Sequence, residues 1–438
     1  MYVYHLRNTV GARRLLVVLL SVALIGCSSV THSNVANNNA NNNQPENNNT
    51  AMENETNSQT GGVIDSRLVS ANTKFGLKLY AEAVKQSSGK NIFLSPASVG
   101  LALAMTYNGA VGETKQAMER ALEIQGMNHA ELNRAYAALR QGLESPDRKV
   151  QLSIANSLWA KKGLPFNPDF IERNKQFYGA EVTALDFNDP GAPATINSWV
   201  ADKTKGKIAK IIDSIDAQSV LFLINAIYFK GAWTREFEKT QTREDPFTTA
   251  SGQQKRHPLM HQAGDYSYYE GKDFQAVSLP YGAGRVSMYV FLPANGSSLA
   301  QFHASLTAAN WESWMNSFSK TKGEIAVPRF KVEYEITLND ALKALGMGIA
   351  FDPERADFSG ILQTSENAFI SRVKHKAFAE VNEEGTEAAA ATSVEMTVTS
   401  AMRPMKTFRM IVDHPFFCAI RDNKTGTLLF MGSITDPM

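Results

Sequence analysis

Near its carboxyl end the 438-residue chain reads Glu383-Glu384-Gly385-Thr386-Glu387-Ala388-Ala389-Ala390-Ala391-Thr392-Ser393-Val394-Glu395-Met396-Thr397-Val398-Thr399. Every second position from Thr386 to Val398 is small or apolar, and the positions between them carry all the charges. This alternation is typical of a half-buried β-strand. No Pro or Gly interrupts it after Gly385, and Pro404 ends it because proline cannot donate a hydrogen bond in a central ladder. The stretch therefore predicts a strand that begins at the glycine.

The run of four alanines, Ala388 to Ala391, fits an ordinary strand poorly, because alanine is a weak strand former with little area to bury. Alanine favours helix, so an alanine-rich helix is a second interpretation. A third interpretation is a segment that slides between two existing strands, since small side chains can pass there without clashing. The residues by themselves leave these three interpretations open.

Two stretches resemble motifs of one known family. Residues 383–392 closely resemble the hinge of inhibitory serpins, and residues 410–420 resemble the carboxyl-terminal signature of that family. Further matches follow in order along the chain: the early buried helix at 91–99, the central strand at 223–233, and shorter motifs at 327–330, 357–360 and 429–432. The resemblance covers nearly all of residues 63–438, and the agreement of several separate motifs makes it highly specific.

The resemblance implies an α+β protein with the serpin fold. That fold has a large central β-sheet with two smaller sheets, about nine helices and an exposed reactive loop, here near residues 386–404. It implies one domain over residues 63–438, which overrules the two or three domains suggested by length alone. Hydrophobic patterns independently predict helices over 72–84, after Pro96 and over 196–212, and strands over 220–228, 286–292 and 408–412.

An inhibitory serpin is a suicide substrate: a protease cuts the reactive loop, and the severed segment inserts into the central sheet as a new strand. The implied function is inhibition of a serine protease, without catalysis by the chain itself. Thr386 must then enter the sheet first and face inward, where a charge would cost several kcal/mol, while Glu387 faces outward. The implied hinge residues are Glu383 as the anchoring acid, Gly385, Thr386, Glu387, Ala388, Ala389, Ala390 and Ala391. The motif matches place Ser95, Ser98, Asn225 and His375 in the shutter, where the strands part, and Trp233 near the point at which the loop enters.

The position of the reactive bond follows from two counts that disagree. Counting from the hinge places it between Thr399 and Ser400, whereas counting back from Pro415 places it near Met402 or Arg403. The hinge count is preferred because the inserted length must match the sheet, and Pro404 hinders cutting after Arg403. Small residues at this bond suit an elastase-like or subtilisin-like serine protease, with a cysteine protease as a further possible target.

The amino-terminal residues predict export and a lipid anchor. Basic residues precede an apolar run over 15–25 that is too short to span a bilayer comfortably, as in a signal peptide. The run ends in Leu-Ile-Gly-Cys27, which resembles the bacterial lipobox, so Cys27 is the predicted lipidation site; a plain signal peptide with an incidental cysteine is the alternative. We therefore expect a lipoprotein signal peptide over 1–26 and a lipidated cysteine with a disordered Asn-rich tether over 27–62. The protein would be held on the outer membrane, in the periplasm or at the cell surface.

Composition narrows the partners. The net charge of +1 weighs against nucleic acid as the main partner. The second of the two cysteines, Cys418, lies in an apolar run and is expected in the core, with no zinc spacing, metal site or cofactor predicted. His257 and His261 are four residues apart but lack the Glu of a metalloprotease motif, and no Gly-x-Ser-x-Gly elbow of a hydrolase occurs. We expect a monomer, with a non-inhibitory serpin-fold binding or chaperone protein as the alternative function.

Overall fold

The computed structural model describes residues 64–87, 89–144, 147–216, 219–363, 368–386 and 407–438. In these residues the α-helices are α1 Ser66–Gln86, α2 Pro96–Tyr107, α3 Gly112–Ala121, α4 His129–Glu144, α5 Pro168–Tyr178, α6 Ala192–Lys203, α7 Leu299–Ser305, α8 Ala308–Met315 and α9 Asn339–Leu342. The strands are β1 Ile92–Leu94, β2 Val150–Lys161, β3 Glu181–Leu185, β4 Leu221–Ala232, β5 Thr242–Thr248, β6 Gln254–Glu270, β7 Phe274–Tyr281, β8 Val286–Pro293, β9 Ser319–Pro328, β10 Phe330–Thr337, β11 Ile370–Asn382, β12 Gly385–Thr386, β13 Phe408–Ile411, β14 Phe416–Asp422 and β15 Leu428–Ile434. Short 3-10 and π turns occur at Lys239–Gln241, Lys343–Met347 and Gly348–Phe351.

A six-stranded mixed sheet has the order β10-β11-β12-β4-β2-β3. Its central strand β4 is buried along almost its whole length, as the continuous apolar run over 220–228 predicts for a strand covered on both faces. On one face α6 packs Ile196 and Val200 against the sheet, together with Ile208 and Ile212 from the following loop. The other face packs on the main hydrophobic core.

The remaining strands form a nine-stranded network in the order β1-β15-β14-β8-β7-β6-β9-β13, with β5 also paired to β6. The sequence resemblance implies two smaller sheets. The long strand β6 joins them, because residues 254–260 pair with β5 while residues 267–270 pair with β7. The architecture is α+β, as expected, and hydrogen bonding makes the two smaller sheets continuous.

The helices begin and end where local chemistry dictates. Helix α2 is buried all round, and Ser95 caps its first turn by accepting a hydrogen bond from the Ser98 amide, with Pro96 in the first helical position. The helix predicted over 196–212 is shorter than expected. Helix α6 ends at Lys203 because the chain turns left-handed at Lys205 and Gly206, with φ of 54° and 77°. In the described ranges, no helix is both long and apolar enough to cross a bilayer.

Candidate functional site

The candidate site is the place where two parallel strands of the six-stranded sheet part. Strands β11 and β4 pair from Ile370 opposite Leu221 up to Phe378 opposite Tyr228. Beyond that point the chain turns back after Asn382 and returns between them as β12, antiparallel to both. The first two residues of the predicted inserting segment therefore already lie at the head of the gap.

Thr386 is the innermost residue of this short strand. It is 0% exposed, and its hydroxyl shares a hydrogen bond of 2.6 Å with the hydroxyl of Tyr281. The Tyr281 ring stacks on Trp233 with 4.4 Å between ring centroids. Burial raises the pKa of Tyr281 well above its ordinary value, so it stays a neutral hydroxyl. The pocket that receives Thr386 is thus aromatic and neutral, and it suits a small uncharged side chain.

Gly385 precedes Thr386 at a point of close backbone approach. A Cβ atom there would lie 2.0 Å from the carbonyl oxygen of Gly231 on β4. Only glycine fits between the two strands at this position.

Glu383 anchors the turn before β12. Its carboxylate accepts hydrogen bonds from Arg329 Nε at 2.8 Å and from the hydroxyl of Thr242, and its side chain is 3% exposed. Burial by itself raises the pKa of Glu383, but the hydrogen bonds from Arg329 and Thr242 outweigh burial and leave that pKa lowered. The carboxylate is therefore charged at neutral pH and fixes the hinge to Arg329, between β9 and β10, and to Thr242 in β5.

The segment after β4 holds the same turn through its backbone and one indole. Trp233 Nε1 donates to the carbonyl of Asn382 at 2.9 Å, and the Trp233 amide donates to the carbonyl of Glu384 at 3.0 Å. The amide of Phe237 donates to the carbonyl of Glu383 at 2.8 Å. Trp233 therefore lies directly beside the turn that precedes β12.

A second polar cluster, the shutter, lies deeper between the same two strands. His375 on β11 faces Asn225 on β4 in the register, and His375 Nδ1 hydrogen bonds to Asn225 Oδ1. The amide of Ser95 donates to His375 Nε2 at 3.2 Å, so the imidazole is neutral with its proton on Nδ1. Burial lowers the pKa of His375 to about 3. Asn225 Nδ2 in turn donates to Ser98 and to Asn156 of β2.

The structure brings Ser95, Ser98, Asn225 and His375 into one hydrogen-bonded cluster, and it places Glu383, Gly385, Thr386 and Trp233 together at the head of the gap. The remaining predicted site residues lie outside the described residues: Cys27, Glu387, Ala388, Ala389, Ala390, Ala391, Thr399, Ser400, Met402 and Arg403.

Sequence reasoning missed three residues that complete the site. Arg329 lies in the family motif at 327–330, where a basic partner for the anchoring acid Glu383 could have been sought. Tyr281 and Asn156 carry no sequence signal, since their roles come from strands distant in the chain.

The cysteine and the two histidines considered as alternative functional groups have positions that the fold explains. Cys418 is fully buried in β14, and burial raises its pKa to about 12, so its thiol is not a nucleophile. His257 Nε2 hydrogen bonds to the carbonyl of Arg329 at 2.6 Å, whereas His261 pairs with Asp245. The two histidines therefore have separate partners. Among the residues with described positions, no group of three or more His, Cys, Asp or Glu side chains could hold a metal ion.

The fold and the site define a class of protein in which a short strand, β12, lies at the head of a gap in the central sheet. A profile of the serpin family, described as serine protease inhibitor, matches residues 70–437. The chain belongs to the serpin family.

Named relatives agree with this assignment. Human Serpin B8 is 37% identical over 379 residues, covering 84% of this chain and 99% of that protein. Human leukocyte elastase inhibitor is 34% identical over 383 residues, covering 85% of this chain and 100% of that protein. The crystal structure of Tengpin, a thermophilic serpin in its native state, is 33% identical, covers 86% of this chain and 95% of its own, and superposes with a TM-score of 0.79.

Proposed function

We propose that this serpin inhibits a serine protease as a suicide substrate. The observation that carries the proposal is the position of β12: Gly385 and Thr386 pair with both β11 and β4, and Thr386 is fully buried. A segment that continues from Thr386 in the same direction would become the next central strand of the sheet. The alternating pattern of residues 386–398 suits that position, with small or apolar side chains on the inward face.

The chemistry begins as ordinary proteolysis. The protease serine attacks the carbonyl of the reactive bond, proposed at Thr399–Ser400, and forms an acyl-enzyme. The cut releases the segment after Thr386 to insert. Hydrolysis of the acyl-enzyme needs an intact oxyanion hole and a positioned histidine, so distortion of the protease stops it.

The energy available to distort the protease comes from the new strand. A strand of about a dozen residues makes on the order of ten hydrogen bonds, at about 1 kcal/mol net each. Burial of the large side chains Val394, Met396 and Val398 adds roughly 1.5–3 kcal/mol each. This total is comparable with the whole stability of a protease, about 5–15 kcal/mol. Insertion can therefore deform an attached protease.

The experiment is incubation with elastase-like, subtilisin-like and trypsin-like serine proteases and with a papain-like cysteine protease. We expect a denaturant-resistant covalent complex with an elastase-like or subtilisin-like enzyme; the likeness to leukocyte elastase inhibitor supports that choice. Mass spectrometry of the complex should place the cut after Thr399. Cleavage in the loop by every enzyme, with full protease activity retained and no complex, would instead support a non-inhibitory binding protein.

The same proposal includes a membrane anchor at Cys27. It is supported by the sequence pattern alone: basic residues, a short apolar run and Leu-Ile-Gly before the cysteine. The segment over 28–62 would hold the inhibitor away from the bilayer. Several acyl chains on Cys27 give stable anchoring where one chain would not.

A further inference from the structure

The short connection between β13 and β14, residues 412–415, holds the strand that follows the predicted reactive bond. Strand β13 is the last in the strand order of its network, and it pairs with β9 over four residues. Beyond the strand, the amide of Val412 donates to the carbonyl of Ala326 at 2.9 Å, and the amide of Thr248 donates to the carbonyl of Asp413 at 2.8 Å. Further bonds made by this connection therefore determine how firmly the end of β13 is held.

His414 lies in this connection with an acceptor at each of its ring nitrogens. Its Nδ1 is 2.7 Å from Asp413 Oδ1, and its Nε2 is 2.9 Å from the carbonyl oxygen of Pro293 at the end of β8. A carbonyl oxygen and an ionised carboxylate can only accept hydrogen bonds. A neutral imidazole has one N–H donor, whereas an imidazolium has two. Only the protonated ring therefore satisfies both acceptors.

The surroundings of His414 favour its charged form. Burial by itself lowers the pKa of His414, but the hydrogen bonds to Asp413 and to the Pro293 carbonyl outweigh burial and leave that pKa raised. Strands β5 and β9 reach the connection through the backbone groups described above, and Asp273 lies beside β8 through its carbonyl, which accepts the amide that follows Pro293 at 2.8 Å. Among the described residues, Asp413 supplies the charge that acts on the ring. The His414 side chain is 27% exposed, so its proton exchanges with solvent.

We infer that His414 is a pH-dependent clasp: its imidazolium ties the connection between β13 and β14 to the end of β8, and loss of one proton releases one of the two bonds. The folded protein binds this proton more tightly than the unfolded chain does. The contribution of the clasp is therefore fully present below pH 6.5, and it is lost as the pH rises through the higher pKa of the folded protein.

The position of the clasp gives it a role distinct from that of the hinge. The hinge at Gly385 and Thr386 lies on the amino side of the predicted reactive bond, whereas β13 is the first described strand on its carboxyl side. The pH would then set how firmly the carboxyl side of the reactive loop is held. This consequence rests on the proposed function, but the clasp itself does not.

The clasp is tested on the uncleaved full chain, without any protease, by hydrogen exchange and mass spectrometry between pH 5.5 and pH 8.5 at constant ionic strength. After correction for the intrinsic exchange rate, protection of the amides of residues 408–411 should fall about three- to tenfold over this range. His414→Gln cannot gain a second donor, so its protection should be low throughout. His414→Arg carries a permanent charge, and its protection should stay high throughout.

The chain offers a matched control in its other histidine–aspartate pair. His261 Nε2 is 2.6 Å from Asp245 Oδ2, and this contact lies in β5 and β6. His261→Gln should leave the pH dependence of β13 as it is in the wild type. Asp413→Asn removes the charge beside His414 and should move the change in protection to lower pH.

A titration by nuclear magnetic resonance gives a second measurement that does not depend on exchange. The carbon-bound imidazole protons of His414, identified by their absence in His414→Gln, should report a pKa above the ordinary 6.5. A pKa at or below 6.5, protection of β13 that does not change with pH in the wild type, or the same change in His414→Gln would each overturn the clasp. Failure to trap any protease would count against the proposed function and leave these results intact.

Discussion

Replacement of Thr386 by arginine should convert the inhibitor into a substrate. Thr386 is 0% exposed against the neutral Tyr281 hydroxyl and, beyond it, the Trp233 ring. Arginine loses the hydrogen bond to Tyr281, worth about 1 kcal/mol, and places an unpaired charge in this pocket at a cost of several kcal/mol. If about 4 kcal/mol of that cost falls on the barrier to insertion, insertion slows roughly a thousandfold. Hydrolysis of the acyl-enzyme is then faster than insertion.

The assay is the stoichiometry of inhibition, with complex formation followed on a denaturing gel. Wild-type protein should yield a covalent complex, whereas Thr386→Arg should be cleaved at the same bond and release active protease. Thr386→Val is the matched control, because it removes only the hydroxyl and should slow insertion by less than about tenfold. Circular dichroism of the uncleaved proteins should show the same fold, since β12 contributes only two residues. An unchanged yield of complex with Thr386→Arg would refute the reasoning.

Three further predictions address the shutter, the anchoring acid Glu383 and the lipid anchor at Cys27. Burial lowers the pKa of His375 from 6.5 to about 3, so below pH 6.5 the unfolded chain binds a proton that the folded protein does not. The free energy of unfolding should therefore fall as the pH drops from 6.5 towards 3. Urea unfolding should show a less steep fall in His375→Gln. Arg329→Gln leaves the Glu383 carboxylate without its charged partner and should lower the free energy of unfolding by roughly 1.5–3 kcal/mol, whereas Lys331→Gln, two residues further along the chain in β10, should have little effect. Cys27→Ala should abolish incorporation of labelled fatty acid and move the protein from the membrane fraction to the soluble fraction; unchanged membrane association would contradict lipidation at that residue.

The sequence predicts the elements whose signal is local. The continuous apolar run of β4 indicates a strand covered on both faces, and Ser95-Pro96 marks the start of the buried helix α2; both are confirmed. The end of α6 is not predicted, because amphipathic spacing continues to Ile212 while the left-handed turn at Lys205 and Gly206 breaks the helix. Hydrophobic periodicity indicates which residues are buried, and Ile208, Ile211 and Ile212 are buried although they follow the end of the helix.

The candidate site also contains residues that the sequence identifies and residues that only the structure shows. The hinge residues are identified by the resemblance of residues 383–392 to the serpin hinge, and the structure gives the physical reason for glycine and a small uncharged residue there. The partners Tyr281 and Asn156 lie on other strands, and Arg329 lies between β9 and β10; all three reach the site through the arrangement of the sheets. A single sequence carries no record of cross-strand register at that distance, so these contacts emerge only from the structure.

Under the proposed mechanism, insertion replaces the pairing of β11 with β4 by the pairing of both strands with a new strand between them. Below β12, an inserting segment must first separate Phe378 from Tyr228, and the fourth register pair that it reaches is His375 with Asn225. Each hydrogen bond broken between β11 and β4 costs about 1 kcal/mol, and an inserted strand replaces it with hydrogen bonds to both neighbours. Insertion of such a strand would therefore increase the number of hydrogen bonds in the sheet. We expect Thr386 and Glu383 to govern the start of insertion and the shutter to govern its later progress, so the two clusters would act at successive steps of the proposed reaction.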